Sequence, residues 1–165
     1  MADVTDTYYA GEAATGYGSQ LLVGQGGASP QTFAAIADVD EITPGDMSTN
    51  VIEKTHLRSP EAHKEKMAGL RDSGAFTVAG NWRPTHGSQS NAGGDGFTDG
   101  GLVYLWRTRK ECDFQISIAG FGSPPLIWPF RGVVTKFQPG TIGPDDKIKF
   151  TAEITPLSDF SADLP

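Results

Sequence analysis

"DKIKFTAEITPL", residues 146–157, carries the pattern that decides the fold. Apolar and polar side chains alternate along it, and successive side chains of a β-strand point to opposite faces of the sheet. The stretch therefore predicts a strand that buries one face and leaves the other in water. The expected inward residues are Ile148, Phe150, Ala152 and Ile154, and the expected outward ones are Lys147, Lys149, Thr151 and Glu153.

The same period recurs along much of the chain. Weaker runs lie at 21–23, at 33–39, which is expected to be a single strand, and at 51–55, and "LIWPFRGVVTKFQPG" (126–140) predicts a strand broken at Pro129. Two further runs, at 76–82 and 114–118, also alternate. The expected inward residues are Phe76, Val78, Gly80 and Trp82 in the first, Phe114, Ile116 and Ile118 in the second, and Phe130, Val133 and Phe137 in the 126–140 run. About seven or eight strands predict a mainly β fold, either a β-sandwich or a barrel-like sheet.

Two stretches depart from this pattern. "THLRSPEAHKEKMAGLRDSG" (55–74) predicts one short flanking α-helix over about residues 60–70, because Ser59 can cap it and Pro60 suits its first position. "LVYLWRTRK" (102–110) favours a helical turn leading into a strand, although its aromatic residues would also fit a strand. The apolar seam expected for the first helix is His63, Met67 and Leu70.

The ends of the chain and one internal stretch are polar and rich in glycine. Residues 1–18 predict a flexible N-terminal arm and residues 158–165 a flexible C-terminal tail, which leaves one β domain over 19–157. The stretch "PTHGSQSNAGGDGFTDGG" (84–101) predicts a long surface loop or flap.

Charge is distributed unevenly. The net charge is −7, and residues 1–50 hold seven acidic residues and no lysine or arginine. An acidic chain repels nucleic-acid phosphates, so sequence-specific DNA binding by a basic patch is not expected. Separate acidic and basic blocks can instead steer copies of one chain onto each other. We expect no secretory signal in the first residues and no membrane span, because no stretch approaches the length of about 18 apolar residues that a span needs.

No constellation of residues predicts catalysis, a cofactor or a metal. His56, His63 and His86 match no metal-ligand spacing, and the lone Cys112 lies between two acids that would raise its pKa. Asp95 and Asp99 could offer carboxylates to Ca²⁺ but lack further oxygen ligands. Three tryptophans leave open a sugar-binding platform, and these are Trp82, Trp106 and Trp128.

The order of several motifs carries a family resemblance. They are "QLLVGQGGASPQTFAAIADVDEITPG" (20–45), "NVIEKTHLRSPEAHKEKMAGLRDSGAFTVAGNWRP" (50–84) and "FRGVVTKFQPGTIGPDDKIKFTAEITPLSDF" (130–160). In this order and spacing, which cover roughly residues 19–157, the chain resembles the major tail tube proteins of long-tailed, non-contractile, lambda-like siphovirus bacteriophages. The resemblance implies a β-sandwich that forms stacked, hexameric rings around a channel for the viral genome.

The resemblance also implies partners and a location. The chain would bind copies of itself and other tail proteins, namely the tape measure, terminator and distal tail proteins. It would let double-stranded DNA pass without specific binding, and it would lie in the virion tail after assembly in the host cytoplasm. Alternatives are a type VI secretion tube subunit, a tail terminator or, from another class, a carbohydrate-binding adhesin.

The resemblance points to two sets of residues. The turn and second strand would contact neighbouring subunits, through Pro44, Gly45, Asp46, Met47, Val51, Ile52, Thr55, His56 and Leu57. The arm before Ser19 is a further contact candidate. Which acids would face the channel is not given by the resemblance, and the candidates are Asp38, Asp40 and Glu41.

Overall fold

A computed structural model describes residues 16–25, 31–58 and 63–159 of the chain. The described residues form one α-helix, α1 (Leu102–Thr108), and nine strands. The strands are β1 (Gln20–Gln25), β2 (Thr32–Ala35), β3 (Val39–Thr43), β4 (Met47–Glu53), β5 (Lys66–Ser73), β6 (Phe76–Asn81), β7 (Cys112–Ile118), β8 (Leu126–Pro139) and β9 (Lys149–Pro156). The fold is mainly β with one short helix, as the sequence predicts.

Seven strands form one antiparallel sheet in the order β2-β1-β7-β8-β9-β6-β3, and β4 and β5 pair separately. β9, the alternating stretch that predicts the fold, lies inside the large sheet between β8 and β6. Its Phe150, Ala152 and Ile154 are fully buried, as expected. No ladder joins the edge strands β2 and β3 among the described residues, so the sheet curves without closing into a barrel.

An aromatic stack forms the centre of the core. The rings of Phe76 and Phe130 lie 4.3 Å apart and nearly parallel. Phe114, on the neighbouring strand β7, stacks on Phe130 with the ring centres 5.4 Å apart. Trp128 meets Phe76 edge-on at 5.4 Å. Burying each such ring contributes roughly 1.5–3 kcal/mol, so this cluster is the main stabilising element of the sheet.

A three-residue link, 36–38, joins the two edges of the large sheet. If the seven strands lay flat, β2 and β3 would be about 29 Å apart, at about 4.8 Å per strand. The link spans roughly 14 Å at most, so the sheet has to curl and bring its edges together. Ile36 N donates to Leu21 O at 2.9 Å, and Asp38 takes the left-handed conformation with φ 54°, which turns the chain into β3.

Two fully buried polar residues hold this link in place. The Ser88 hydroxyl accepts from Ala37 N at 3.1 Å, and Gln89 Nε2 donates to Ala37 O at 2.9 Å. The same Gln89 amide donates to Asn81 O at 3.0 Å and accepts from Arg83 N at 2.7 Å. We call this set the Gln89 latch. It joins the link to the end of β6 inside the protein.

Residues 84–101 form a loop in which more than half of the residues are exposed, but the part that carries the latch is buried. The segment contains no regular strand or helix, but Ser88 and Gln89 have no exposed surface and Phe97 is 3% exposed. Its backbone folds back through paired hydrogen bonds between Gly94 and Phe97. A polar, glycine-rich composition suggested solvent, whereas here it supplies hydrogen-bonding groups for buried backbone.

The prediction of a helix over about 60–70 is wrong for residues 66–70, which belong to β5. Residues 59–62 lie outside the described residues, and 63–65 have no regular structure. The pairing of β5 with β4 contains a bulge between Thr49 and Val51, which puts Ala68 and Arg71 on one face although they are three residues apart. Such a bulge produces the helix-like spacing of apolar residues, and pairing with β4 outweighs helix propensity.

Three smaller expectations also change. β8 runs unbroken through Pro129. Residues 126–131 pair with β7 on one side and with no other described strand on the second side. A missing N–H on that second side removes no hydrogen bond of the ladder. Val134, rather than Val133, is the buried neighbour in β8. The expected strand over 33–39 is split by the link into β2 and β3. The helical turn at 102–110 is confirmed as α1, followed by β7.

Replacing Gln89 with leucine should destabilise the protein strongly. The leucine leaves Arg83 N, Ala37 O and Asn81 O buried without their side-chain partner, at a cost of about 2–4 kcal/mol in the free energy of unfolding. Urea denaturation measures this cost. The matched control is Gln138→Leu on the exposed end of β8, expected within about 0.5 kcal/mol of wild type. Equal stability of the two variants would show that the latch does not hold the link.

Gly80→Ala should also destabilise the fold. A Cβ on Gly80 would collide with the Asp38 carbonyl oxygen and lie 2.9 Å from Val39 Cα, so the link would have to move away from β6. We expect a loss of about 1–3 kcal/mol, read from the thermal midpoint. Gly143→Ala is the control, because nothing lies within 4 Å of its added methyl group. A Gly80→Ala protein as stable as that control would contradict the close approach.

Candidate assembly surface

The β4–β5 hairpin projects from the large sheet. All seven residues of β4 are exposed, and six of the eight in β5. The two strands pack on each other and on no other strand or helix of the described chain to a comparable degree. At the base the backbones cross closely, since Gly74 N donates to Asp46 O at 2.9 Å and a Cβ on Gly45 would collide with Gly74.

Large apolar side chains cover this hairpin although it contributes nothing to the core. Ile52 is 43% and Met67 48% exposed, and the two are direct cross-strand partners on one face. Val51, at 57%, lies on the opposite face, and Leu70, at 86%, is at the bulge. Apolar surface concentrated on one projecting element is typical of a protein–protein contact.

Charged pairs surround the hairpin tip. Lys54 Nζ lies 3.6 Å from Glu65 Oε2, and Lys64 Nζ lies 3.9 Å from Glu53 Oε2. Thr55 Oγ1 accepts from Glu65 N at 3.0 Å and fixes the two sides of the tip beyond the ladder. The side chains of these pairs are a quarter to three-quarters exposed, so they define the edges of the apolar surface more than they stabilise it.

The structure brings the nine sequence-predicted contact residues onto this one element. Residues 44–47 lie at the base, Val51 and Ile52 in β4, and Thr55, His56 and Leu57 beside the tip, where Leu57 is fully exposed. Sequence reasoning missed Met67 and Leu70, which it assigned to a helix seam. Whether these residues contact another subunit stays a prediction.

The three acids predicted to line a channel do not form one row. Asp38 lies in the link, 3.5 Å from Arg83 Nη1. Asp40 is the extra residue where β3 bulges against β6. Glu41 pairs with Ala79, so its side chain is on the face of the large sheet that turns away from the core.

That outer face is polar and carries mostly small side chains. They are Thr77 and Ala79 from β6 and Thr151 and Thr155 from β9, together with the charged Lys149 and Glu153. Its charges are partly balanced, since Lys136 Nζ lies 3.3 Å from Glu153 Oε1. A phosphate on this face would therefore meet charges of both signs.

The other candidate groups are occupied structurally. Burial raises the pKa of the Cys112 thiol, with Asp113 acting in the same direction and Lys110 against it, so the thiolate nucleophile is disfavoured. Asp99 bonds Lys110 at 3.0 Å, and this hydrogen bond raises the pKa of that lysine. No group of three or more potential metal ligands lies together in the described part of the chain.

A serine–histidine–aspartate contact in the 84–101 segment also has a structural role. Ser88 Oγ lies 2.8 Å from His86 Nδ1, and His86 Nε2 lies 3.8 Å from Asp95 Oδ2. The Ser88 hydroxyl is fully buried and already accepts from the link, so no substrate can reach it as a nucleophile. His63 is exposed rather than packed in a seam.

The three tryptophans do not form a common platform. Trp128 is in the aromatic core and Trp82 is half-buried, with its Nε1 enclosed and without a hydrogen-bond partner, while Trp106 is 46% exposed. The sugar-binding alternative therefore loses its basis. None of the described helices is long and apolar enough to span a membrane.

Several solved structures share this fold at low sequence identity. A chain of the anti-feeding prophage baseplate, 6-fold symmetrised, matches with a TM-score of 0.59 and 10% identity over 88% of this chain and 94% of that one. A chain from the tail of an empty GTA particle, with C6 symmetry, matches with a TM-score of 0.57 and 15% identity over 84% and 91%. A PVC sheath/tube terminator chain of an extracellular contractile injection system gives 0.59 and 17% over 87% and 92%.

No curated protein sequence matches the chain. The family model described as "Lambda phage tail tube protein, TTP" matches residues 17–157. That range contains every described strand, the helix and the projecting hairpin. The chain belongs to the lambda phage tail tube protein family.

Proposed function

We propose that the chain is the structural subunit of a bacteriophage tail tube, in which copies form stacked, hexameric rings around a channel for the viral genome. The observation that carries this proposal is the projecting β4–β5 hairpin with its exposed apolar side chains, in a member of the tail tube family. A subunit that only folds would gain nothing by exposing them. A subunit that assembles would bury them against a neighbour.

The sheet edges support assembly as well. β2 and β3 each have one hydrogen-bonded side in the described structure, and an open edge is a template for pairing with another chain. A contact between the hairpin of one copy and a different surface of the next is head-to-tail, and such contacts generate rings or open filaments. Two structures with the same fold have sixfold symmetry, which favours a ring of six.

The outer polar face of the large sheet is the proposed channel wall. Glu41, Thr77, Ala79 and Thr151 present small or acidic groups there, and Asp40 lies at the adjoining edge. Double-stranded DNA would slide past such a wall because acidic groups lie among its cations and repel the phosphates. Asp38 is less suited to this role, since Arg83 partly neutralises it.

In this proposal the chain acts in the tail of a siphovirus virion, after assembly in the host cytoplasm. Its partners are other copies and the tape measure, terminator and distal tail proteins. The protein has no enzymatic role, a view supported by the structural character of the family and by the occupied state of its serine, cysteine and histidine groups.

A tail terminator is the second candidate, because one structure with the same fold is a sheath/tube terminator. A type VI secretion tube subunit would be a further relative of the same kind. Electron microscopy separates a tube subunit from a terminator directly. The purified protein should form long hollow tubes at high concentration, whereas single closed rings would favour the terminator and monomers alone would contradict both.

Polar substitution on the hairpin should block assembly without unfolding the subunit. Ile52→Ser combined with Met67→Ser removes the paired apolar side chains, and we expect the concentration needed for assembly to rise about tenfold or more. Sedimentation and negative-stain images measure this, and circular dichroism verifies the fold.

Ile142→Ser is the control for that experiment. Ile142 is 71% exposed in a loop outside the hairpin, so its replacement should leave assembly unchanged. Normal tubes from the double variant would show that the hairpin is not the contact surface.

Charge reversal on the proposed channel wall should slow genome release. In phage carrying Asp40→Lys with Glu41→Lys, tails should assemble, but lysines in the channel would bind phosphates and delay DNA ejection several-fold. Asp145→Lys with Asp146→Lys makes the same charge change in an exposed loop. Ejection kinetics that are equal in both variants would reject this wall.

A further inference from the structure

A groove lies between α1 and β8. It encloses about 700 Å³ and is lined from the helix side by Trp106, Arg107 and Arg109, and from β8 by residues 133–135. Leu157, just beyond β9, completes its floor. Trp106 is 46% and Leu157 47% exposed, so two large apolar side chains face solvent in a concave site.

The two arginines of this groove have no side-chain partner in the part of the chain that the structure describes. Neither the Arg107 nor the Arg109 guanidinium group forms an ion pair or hydrogen bond with a described residue. The one acid in the lining, Glu111, is already engaged, because Arg131 Nη2 lies 3.4 Å from its Oε2. Lys110, which follows Arg109, is held by Asp99. In a chain of net charge −7, this leaves a positive, partly apolar groove.

The groove selects an acidic segment that also carries aromatic side chains. Guanidinium groups bind carboxylates through two parallel hydrogen bonds and stack on aromatic rings. Trp106 and Leu157 add apolar surface on which a ring can pack. An anion without apolar groups would leave these two side chains uncovered.

One stretch of the chain outside the described residues has this chemistry. Residues 1–15, "MADVTDTYYAGEAAT", contain three acids, no lysine or arginine, and the pair Tyr8 and Tyr9. The other such stretches are poorer in charge: 26–30 has none, 59–62 has Glu61, and 160–165 has Asp163. Of these three stretches only 160–165 contains an aromatic residue, Phe160, and it has one acidic side chain against three in residues 1–15.

We propose that residues 1–15 dock into the α1–β8 groove, with carboxylates on Arg107 and Arg109 and a tyrosine against Trp106. The length permits it. Gly16 lies beside Ile116 and Ile118 at the far end of β7, and 15 residues reach at most about 50 Å, roughly twice the length of that strand. The inference does not depend on the tube proposal, because the groove and the hairpin share no residues.

Photo-cross-linking of the full chain tests the docking. A benzophenone amino acid replaces Tyr9, and mass spectrometry identifies the residues it captures after irradiation. We expect cross-links to the groove, at Trp106, Leu157 or residues 133–135. Monomeric and dimeric cross-linked products tell whether the segment comes from the same copy or a neighbouring one, and both place it in the groove.

Matched variants show whether charge drives the docking. Arg107→Gln with Arg109→Gln should lower the cross-link yield about fivefold, and added salt should lower it for the wild type. Lys147→Gln with Lys149→Gln removes two exposed cations elsewhere and should leave the yield unchanged. Circular dichroism confirms that each variant is folded.

Two results would overturn the proposal. One is capture scattered over the surface or concentrated outside the groove. The other is a yield in the Arg107→Gln, Arg109→Gln protein that equals the yield in the lysine control. Since neither readout involves tubes, failure here leaves the assembly experiments unaffected, and failure of tube formation leaves the docking intact.

Discussion

The link at 36–38 is the constraint on which the rest of the structure depends. Its three residues cannot connect the opposite edges of a flat seven-stranded sheet, so the sheet curls around its aromatic core. Curling brings the backbone of the link into the interior, where its polar groups need partners. Ser88 and Gln89 supply them, which explains why these two polar residues are buried in a protein whose core is otherwise aromatic and aliphatic.

Once the curled sheet has enclosed its core, the hairpin has no interior left to occupy. β4 and β5 satisfy each other's backbone groups and leave their apolar side chains outside. The molecule thus has a core whose packing is complete within one chain. It also has surfaces without a packing partner, namely the hairpin, the two sheet edges and the groove beside α1. Membership of a tail tube family agrees with this division, because a subunit of an assembly needs both.

Local alternation in the sequence predicted the interior strands of the large sheet. β6, β7 and β9 lie inside the sheet with one face in the core, so their period is visible in the sequence. Alternation could not show that β8 continues through Pro129, which depends on which side of the strand is paired. It also could not show that 66–70 form a strand, which depends on where a bulge falls. The burial of Gln89 within a loop was not predicted, because no sequence signal marks a buried amide. The contact surface was half visible: β4 was found, and Met67 on the opposite strand was not.

β8 is fourteen residues long and belongs to both halves of the sheet. Its first half pairs with β7, which leads to β1 and β2, and its second half pairs with β9, which leads to β6 and β3. The two halves are thus joined by a covalent backbone, and Gly132 is paired on both sides at their junction. Separating the two halves would break the hydrogen bonds that β8 forms with β7 and with β9 at the same time. The large sheet should therefore melt cooperatively, as one two-state unit rather than as two subdomains.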